Sequence, residues 1–466
     1  MPDAPSVPGS RPFQIGRELS AALDRWSARI LEVTSDEKLA AMFGVCMRST
    51  LQDTVNLQSD GTTFVITGDI PAMWLRDSSA QVRPFLRLLD DPAPGADLAQ
   101  GVDTAGVNRG LVEGPDGDSL VEALAGLVRR QFACIALDSY ANAFNQEPSG
   151  DRWDQEDLPQ SPWVWERKYE VDSLAFPVQL AHRLWTLTGR TDFLDQTAHR
   201  CLGGIVDQWT AEQRHENSTY RFERPTTIPT ETLAREGCGT PVGYTGMTWS
   251  GFRPSDDACR YGYNLPANLF AALTLAQTAE LARAVYDDDA LAERALTLRA
   301  EILAGVVAFG VVEHPEYGPV YAYEVDGLGN HLLMDDANMP SLSSLPLCSE
   351  LDEQDPVYLA TRELVNGPEN PYFYQGAAAS GIGSPHTPPG YIWPIGLAVR
   401  GLTTMDRREQ WRILQLLRNT DAGTGRMHEG FDVQDPSRFT RPWFSWADSM
   451  FCELLMAYVE GSATAR

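Results

Sequence analysis

The sequence predicts an all-helical protein, a closed ring of helical hairpins with elaborate loops at one end. Three observations lead there. Apolar residues recur every three or four positions along the chain, strand patterns are few and local, and four long loops are crowded with Gly, Pro and aromatic residues. The 466 residues suit either two modest domains or one large toroidal one. No repeat of about 20 to 50 residues is visible, which argues against a solenoid.

The elements follow in order. Leu23, Trp26, Ile30 and Val33 form the first apolar stripe, and helices are expected over 37–52 and 78–90. Leu120, Leu124 and Leu127 mark the next, then Leu174, Val178, Ala181 and Trp185, then the span 191–210. Asn264 reads as the N-cap of a helix with Pro266 in its first turn and Leu265, Leu269, Leu273 and Ala276 on one face. Asp287 to Asp289 read as caps for the stripe Leu291, Ala295, Leu298, Ile302, Val306 and Phe309. Helices are also expected over 391–404 and 444–458, and Arg407 to Arg418, with Asp406 and Glu409 among its arginines, reads as an amphipathic helix with a solvated face. A strand is expected over Thr62–Ile70, after the Asp60-Gly61 turn, and a hairpin from Val320–Val325 and Leu332–Met334 around Asp326-Gly327. Residues 1–36 are expected to be an N-terminal segment whose first helix packs on the barrel, and 37–460 a single catalytic domain.

Composition narrows the function. With 37 basic and 64 acidic side chains the net charge is −27, which repels polyphosphate and anionic lipid, so neither nucleic acid nor membrane is an expected partner. The apolar tracts fall short of the ~20 residues needed to cross a bilayer, and the first residues lack a secretion pattern, so a cytoplasmic protein is expected. Seven scattered cysteines without a Cys-x-x-Cys pair indicate neither a disulfide framework nor a thiolate zinc site. Gly376 to Gly390 lacks the Lys-Ser/Thr of a phosphate loop, and no cofactor is expected.

The chemistry is expected in the loops at 148–168, 224–263, 367–390 and 421–443, with one further cluster at Gly68 to Gln81. That cluster places Asp69, Trp74, Arg76 and Asp77 within nine positions. Asp69 and Asp77 can share a crevice with Arg76 holding one ionised, or Asp77 can simply cap a helix. In Gly246 to Cys259, which also holds Trp249 and Arg253, Asp256 and Asp257 are adjacent. If the loop is partly buried, one of them holds a proton near neutrality, as a general acid must; alternatively Ser255 or Asp256 caps a helix. Between Gly425 and Asp432, Gly residues flank His428-Glu429, where a carboxylate can activate water or form an ordinary surface pair. Loop tryptophans, Trp443 among them, suit sugar stacking or packing. Carboxylates, arginines and tryptophans without metal-ligand spacing point to carbohydrate chemistry, for which two opposed carboxylates suffice.

The runs Asp69 to Gln81 and Thr248 to Cys259, with His428-Glu429 and Arg441-Pro442-Trp443, resemble the signature segments of glycoside hydrolase family 125, exo-acting α-1,6-mannosidases of bacteria and fungi, over about residues 37–458. The resemblance implies an (α/α)6 barrel, an α-mannoside oligosaccharide as substrate, release of terminal non-reducing mannose with inversion, and no catalytic metal. It assigns Asp256 as general acid, with Asp257 as the alternative one position away, and Glu429 as general base. Asp69, Arg76 and Asp77 then bind sugar hydroxyls, joined by Arg253, Asp257, His428 and Arg441, while Trp74, Trp249 and Trp443 close the pocket. The rival readings are a non-catalytic mannoside-binding protein on the same scaffold and another (α/α)6 glycosidase. A terpene synthase would need an Asp-Asp-x-x-Asp cluster, which neither Asp256-Asp257 nor Asp287 to Asp289 completes.

Overall fold

The computed structural model describes residues 9–90, 116–155, 157 and 160–463. Among them the principal helices are α1 (Arg17–Thr34), α2 (Glu37–Ser49), α3 (Leu75–Gln81), α4 (Arg83–Asp90), α5 (Leu120–Leu137), α6 (Val171–Thr188) and α7 (Gln196–Glu212). They continue as α8 (Leu265–Tyr286), α9 (Asp289–Gly305), α10 (Pro356–Val365), α11 (Pro394–Leu402), α12 (Arg407–Asn419) and α13 (Ser445–Ala463). Asn264 and Asp288 cap α8 and α9 as expected, each side chain accepting a backbone N–H of the first turn.

Departures from the expected elements have local causes. The helix expected over 78–90 is two, α3 and α4. Pro84 lacks the N–H that would bond back to Ala80, and its ring excludes that carbonyl. Asp77 does not cap a helix: Trp74 holds the N-cap position, which puts Asp77 in the first turn of α3. No helix follows Ser255 or Asp256 until Leu265. The apolar stripe ending at Phe309 leaves the α-helix at Gly305 and finishes in a π turn, Val306–Gly310. The run Val320–Val325 is split between two sheets. Gly318–Tyr321 pairs with Val311–His314, while only Glu324–Val325 pairs with His331–Leu332.

The packing order gives the toroid. α8 lies against α9 and α6, α6 against α3 and α5, α3 against α13, and α13 against α11 and α2. The ring closes through the segment 334–348, where Leu345–Cys348 packs on α8 and Ala337 meets Gly396 of α11. This is an (α/α)6 fold. The inner helices are buried around most of their circumference, and every residue of α3 is buried. The outer α12 buries only Ile413, Leu414 and Leu417; Arg408 and Arg412 are exposed, while Arg407 packs over the Tyr458 ring of α13 and Arg418 pairs with Asp36. α1 packs on α2 and α13.

Short strands precede the inner helices at one end of the ring: Met73–Trp74 before α3, Val164–Glu166 before α6, Tyr263–Asn264 before α8, Tyr391–Ile392 before α11 and Phe439–Thr440 before α13. These strands fix where each inner helix starts. The polar side chains at those starts therefore converge on the ring axis, at the positive ends of the helix dipoles.

Candidate active site

A cavity of about 240 Å³ opens at this end of the ring. All four long loops reach it: Trp153, Glu166 and Lys168 from the first, Glu231 and Asp256 from the second, His386 from the third, Glu429 and Arg441 from the fourth. The starts of α3, α11 and α13 add Trp74, Arg76, Asp77, Trp393, Phe444 and Trp446.

Six of the twelve site residues expected from the sequence line this cavity: Trp74, Arg76, Asp77, Asp256, Glu429 and Arg441. The other six do not. Asp69 stands outside and takes the Arg441 Nε hydrogen at 2.8 Å, so it acts on the site through that guanidinium. The Gly68 backbone runs against the Trp443 carbonyl, where an added Cβ would lie 2.6 Å from the oxygen, and Trp443 lies outside the lining. His428 stacks on Phe439 with ring centroids 3.7 Å apart, so burial lowers its proton affinity and it braces the loop beside Glu429. Arg253 is buried and pairs with Glu324 at 2.5 Å. Trp249 lies in a buried stack with His215 and Tyr169. Asp257 is buried beside His386.

One tight turn separates the two adjacent aspartates. The Arg253 N–H donates to the Asp257 carbonyl at 2.8 Å and the Asp256 N–H donates to the Arg253 carbonyl at 2.9 Å. Asp256 closes that turn with φ at 66°, a left-handed conformation that Asp tolerates better than most residues and that is typical of sites where strain serves function. Its Oδ1 accepts from Arg76 Nη2 at 3.0 Å and from Asn142 Nδ2 at 3.1 Å.

Arg76 is the electrostatic hub. Fully buried, it also donates from Nη1 to Glu170 at 2.6 Å and Asp172 at 3.2 Å, and its Nε lies 3.6 Å from Asp77. Four carboxyl groups around one guanidinium cannot all stay charged in a desolvated site. Burial pushes Asp77 and Asp172 up to about 6 despite Arg76, and raises Glu170 well above the ordinary carboxyl range. Asp256 goes the other way: burial opposes its charge, but Arg76, a hydrogen bond from the Glu170 carboxyl, Lys168 and His386 together hold it below the ordinary carboxylate range. The expected raised member of the Asp256-Asp257 pair is thus not Asp256. The carboxyls whose proton affinity burial raises are its neighbours Asp77, Asp172 and Glu170.

A second ionic cluster adjoins the first through Asn142, whose Nδ2 donates to Glu166 at 3.1 Å as well as to Asp256. Arg224 binds Asp157, Glu166 at 2.9 Å and Glu231 at 2.7 Å, and Lys168 lies 3.1 Å from Glu231. Glu429 has Arg441 Nη1 at 3.7 Å and begins a turn into the strand Gly430–Asp432, which pairs with Tyr391–Ile392 and Phe439–Thr440. Glu231, Asp257 and His386 bring ligand-type atoms within 4.8 Å of one another. Burial disfavours a charged His386, yet Asp257 outweighs it and holds the imidazolium up to about 10, and an imidazolium does not coordinate a cation. Glu231 is already held by Lys168 and Arg224.

Glu166, Lys168, Glu170, Glu231 and His386 were not singled out by the sequence. Glu166, Lys168 and Glu170 share one charged run with Arg167 and Asp172, while Glu231 and His386 stand in other loops, and the pairings that gather them are distant: Lys168 with Glu231 across 63 positions, Arg76 with Glu170 across 94 and Asp257 with His386 across 129. The loops holding four of them were the available clue. Glu170, between a loop and α6, resembles an ordinary helix-start acid.

A helical toroid whose loops bring carboxylates, cations and tryptophans to one small cavity is a glycoside hydrolase architecture. The chain belongs to glycoside hydrolase family 125, the metal-independent α-mannosidases, whose model matches residues 36–456. It is similar to a Streptococcus pneumoniae member of a family of metal-independent α-mannosidases, solved in a non-productive substrate complex with α-1,6-mannobiose. The identity is 42% and the TM-score 0.87, over 94% of this chain and 98% of that one. It is also 35% identical to the meiotically up-regulated gene 157 protein of Schizosaccharomyces pombe, over 97% of this chain and 89% of that protein.

Proposed function

We propose that the protein is an exo-acting α-1,6-mannosidase that releases terminal non-reducing mannose with inversion, with Asp256 as general acid and Glu429 as general base. The observation that carries this reading is that Asp256 and Glu429, from two different loops, line one cavity together. Its volume is below the about 300–1,000 Å³ of pockets that hold drug-sized ligands, which suits one sugar residue and an exo mode of attack. The Streptococcus relative's complex with α-1,6-mannobiose supports the linkage.

In this mechanism Asp256 delivers a proton to the glycosidic oxygen as the bond to C1 breaks. A water on the opposite face of the ring bonds to C1 and loses a proton to the Glu429 carboxylate. On this reading Arg441 and Asp77, which line the cavity, bind mannose hydroxyls by charge-assisted hydrogen bonds, and Trp74, Trp393 and Trp446 wall the sugar site. A cytoplasmic location belongs to the same proposal and is supported by seven free thiols, the state a reducing compartment maintains.

Incubation with a panel of linkage-defined mannobioses and longer α-1,6 chains tests the reading. Free mannose is expected as the first product from α-1,6 ends. Early internal fragments, or a preference for α-1,2 or α-1,3 linkage, would overturn it.

A further inference from the structure

The buried side of the cavity holds a carboxyl group that the mechanism above does not use. Glu170, 1% exposed, precedes α6 and lies behind Asp256. Its Oε2 already accepts two short hydrogen bonds, from Arg76 Nη1 and from Ser173 Oγ, both at 2.6 Å. Its Oε1 is buried and meets no donor among the described residues. The Glu170 and Asp256 carboxyls are held side by side by one guanidinium, Arg76 donating from Nη1 to Glu170 at 2.6 Å and from the neighbouring Nη2 to Asp256 at 3.0 Å. Two carboxyl groups in contact bond only through a shared proton, and Oε1 is the oxygen with room to carry it.

We propose that Glu170 is the proton reservoir of the general acid: it holds the proton in the empty site, passes it to Asp256 when a mannoside fills the cavity, and is reprotonated after product leaves. This inference rests on the reading of Asp256 as the acid. In the empty site Asp256 faces water, Arg76 and Asn142, all of which favour its charged form. A neutral sugar removes the water and raises the affinity of Asp256 for a proton, while Arg76, bonded to both groups, steadies the charge that moves to Glu170.

The step balances. The O–H bond of Glu170 breaks as that of Asp256 forms, then the same proton reaches the glycosidic oxygen while water attacks C1 and Glu429 accepts the water proton. Hydrolysis ends with Glu170 and Asp256 both ionised and Glu429 protonated. Transfer of one proton back through solvent restores the start.

The charged groups facing Glu170 are Arg76 on α3, Asp172 in the first turn of α6 and Asp256 on the loop before α8. Cys259 and Tyr220 are also near and are kept neutral by burial. Glu170 is a positioning residue for the proton and does not itself touch substrate.

The test compares E170Q, D256N and wild type on α-1,6-mannobiose and on 2,4-dinitrophenyl α-mannoside, across pH. Gln keeps the size, neutrality and donor of protonated Glu170 but cannot release a proton. E170Q is expected to lose about 10²-fold on mannobiose and little on the dinitrophenyl substrate, whose leaving group needs no acid. The basic limb of its kcat/KM profile on mannobiose should also move to lower pH. A merely structural role would lower both substrates alike and leave that limb in place, which overturns the proposal.

If D256N shows leaving-group dependence and E170Q does not, the reservoir fails while the acid assignment stands. If D256N shows none, both fall. S173A keeps the test open should E170Q not fold. It removes a donor that favours ionised Glu170, so the mannobiose limb should move to higher pH with the dinitrophenyl profile unchanged; an unmoved limb counts against the reservoir.

Discussion

Asp256 and Asp257 are adjacent in the chain and occupy different environments. Asp256 lines the cavity and accepts from Arg76 at 3.0 Å, while Asp257 is buried with His386 as its partner at 3.4 Å. Asp256→Asn should therefore cost about 10² to 10⁴-fold on α-1,6-mannobiose and far less on 2,4-dinitrophenyl α-mannoside. Asp257→Asn removes the counter-charge of His386, so it should lower both rates alike and lower the Tm. Glu429→Gln should impair both substrates, with some turnover restored by azide in place of water. Steady-state kinetics on the two substrates decide. Leaving-group dependence in Asp257→Asn alone would move the acid by one residue.

Exhaustive chelation should leave activity unchanged. Among the described residues, the group of ligand-type side chains at the site has an imidazole whose proton is held by the charge of Asp257, and its Glu231 is bound by Lys168 and Arg224. Assays before and after EDTA treatment check this. A loss restored by Ca²⁺ or Zn²⁺ would contradict it.

Trp249 and Trp153 should respond oppositely. Trp249 stacks on His215 with centroids 3.4 Å apart and is buried, so Trp249→Ala should cost on the order of 3–5 kcal/mol of stability while KM for mannoside holds in the folded fraction. Trp153 is 49% exposed at the cavity, so Trp153→Ala should raise KM with little change in Tm. Thermal melts and KM values for the pair test both placements.

Stability should fall as pH rises from about 5 to about 8. Burial raises Asp77, Asp172, Asp336 and Asp448 to about 6 and Asp335 to about 7, above the ordinary carboxyl value. The folded chain therefore binds these protons more tightly than the unfolded chain. Their contribution is fully present below about pH 4 and is lost as pH climbs through their folded values. His386, held up to about 10 by Asp257 against burial, adds a loss in the same direction above its ordinary range. A Tm rising over that interval would contradict the protonated cluster, and Asp335→Asn should flatten the slope.

The helical periodicity was legible in the sequence where a helix writes its buried face at fixed spacing, as Leu291, Ala295, Leu298 and Ile302 do, whereas on α8, buried nearly all round, the expected stripe ends in the half-buried Leu273 and Ala276. The four loops were legible as well, because length and aromatic content mark segments that are not linkers, and each of them reaches the cavity. Which way a loop side chain points was not. Trp249 and Trp443 have the same composition context as Trp393, yet only Trp393 lines the site. The buried pairings were hidden for another reason. Arg76 meets Glu170 across 94 positions and Asp256 across 180, and nothing local in any of the three segments encodes a partner so distant.

The stereochemistry of the first product tests the pairing of Asp256 with Glu429 most directly. Proton NMR recorded during the first turnovers of α-1,6-mannobiose by wild-type protein should show β-mannose appearing first, with the α anomer following by mutarotation. If α-mannose appears first, the reaction proceeds with retention, and the roles assigned to Asp256 and Glu429 are wrong.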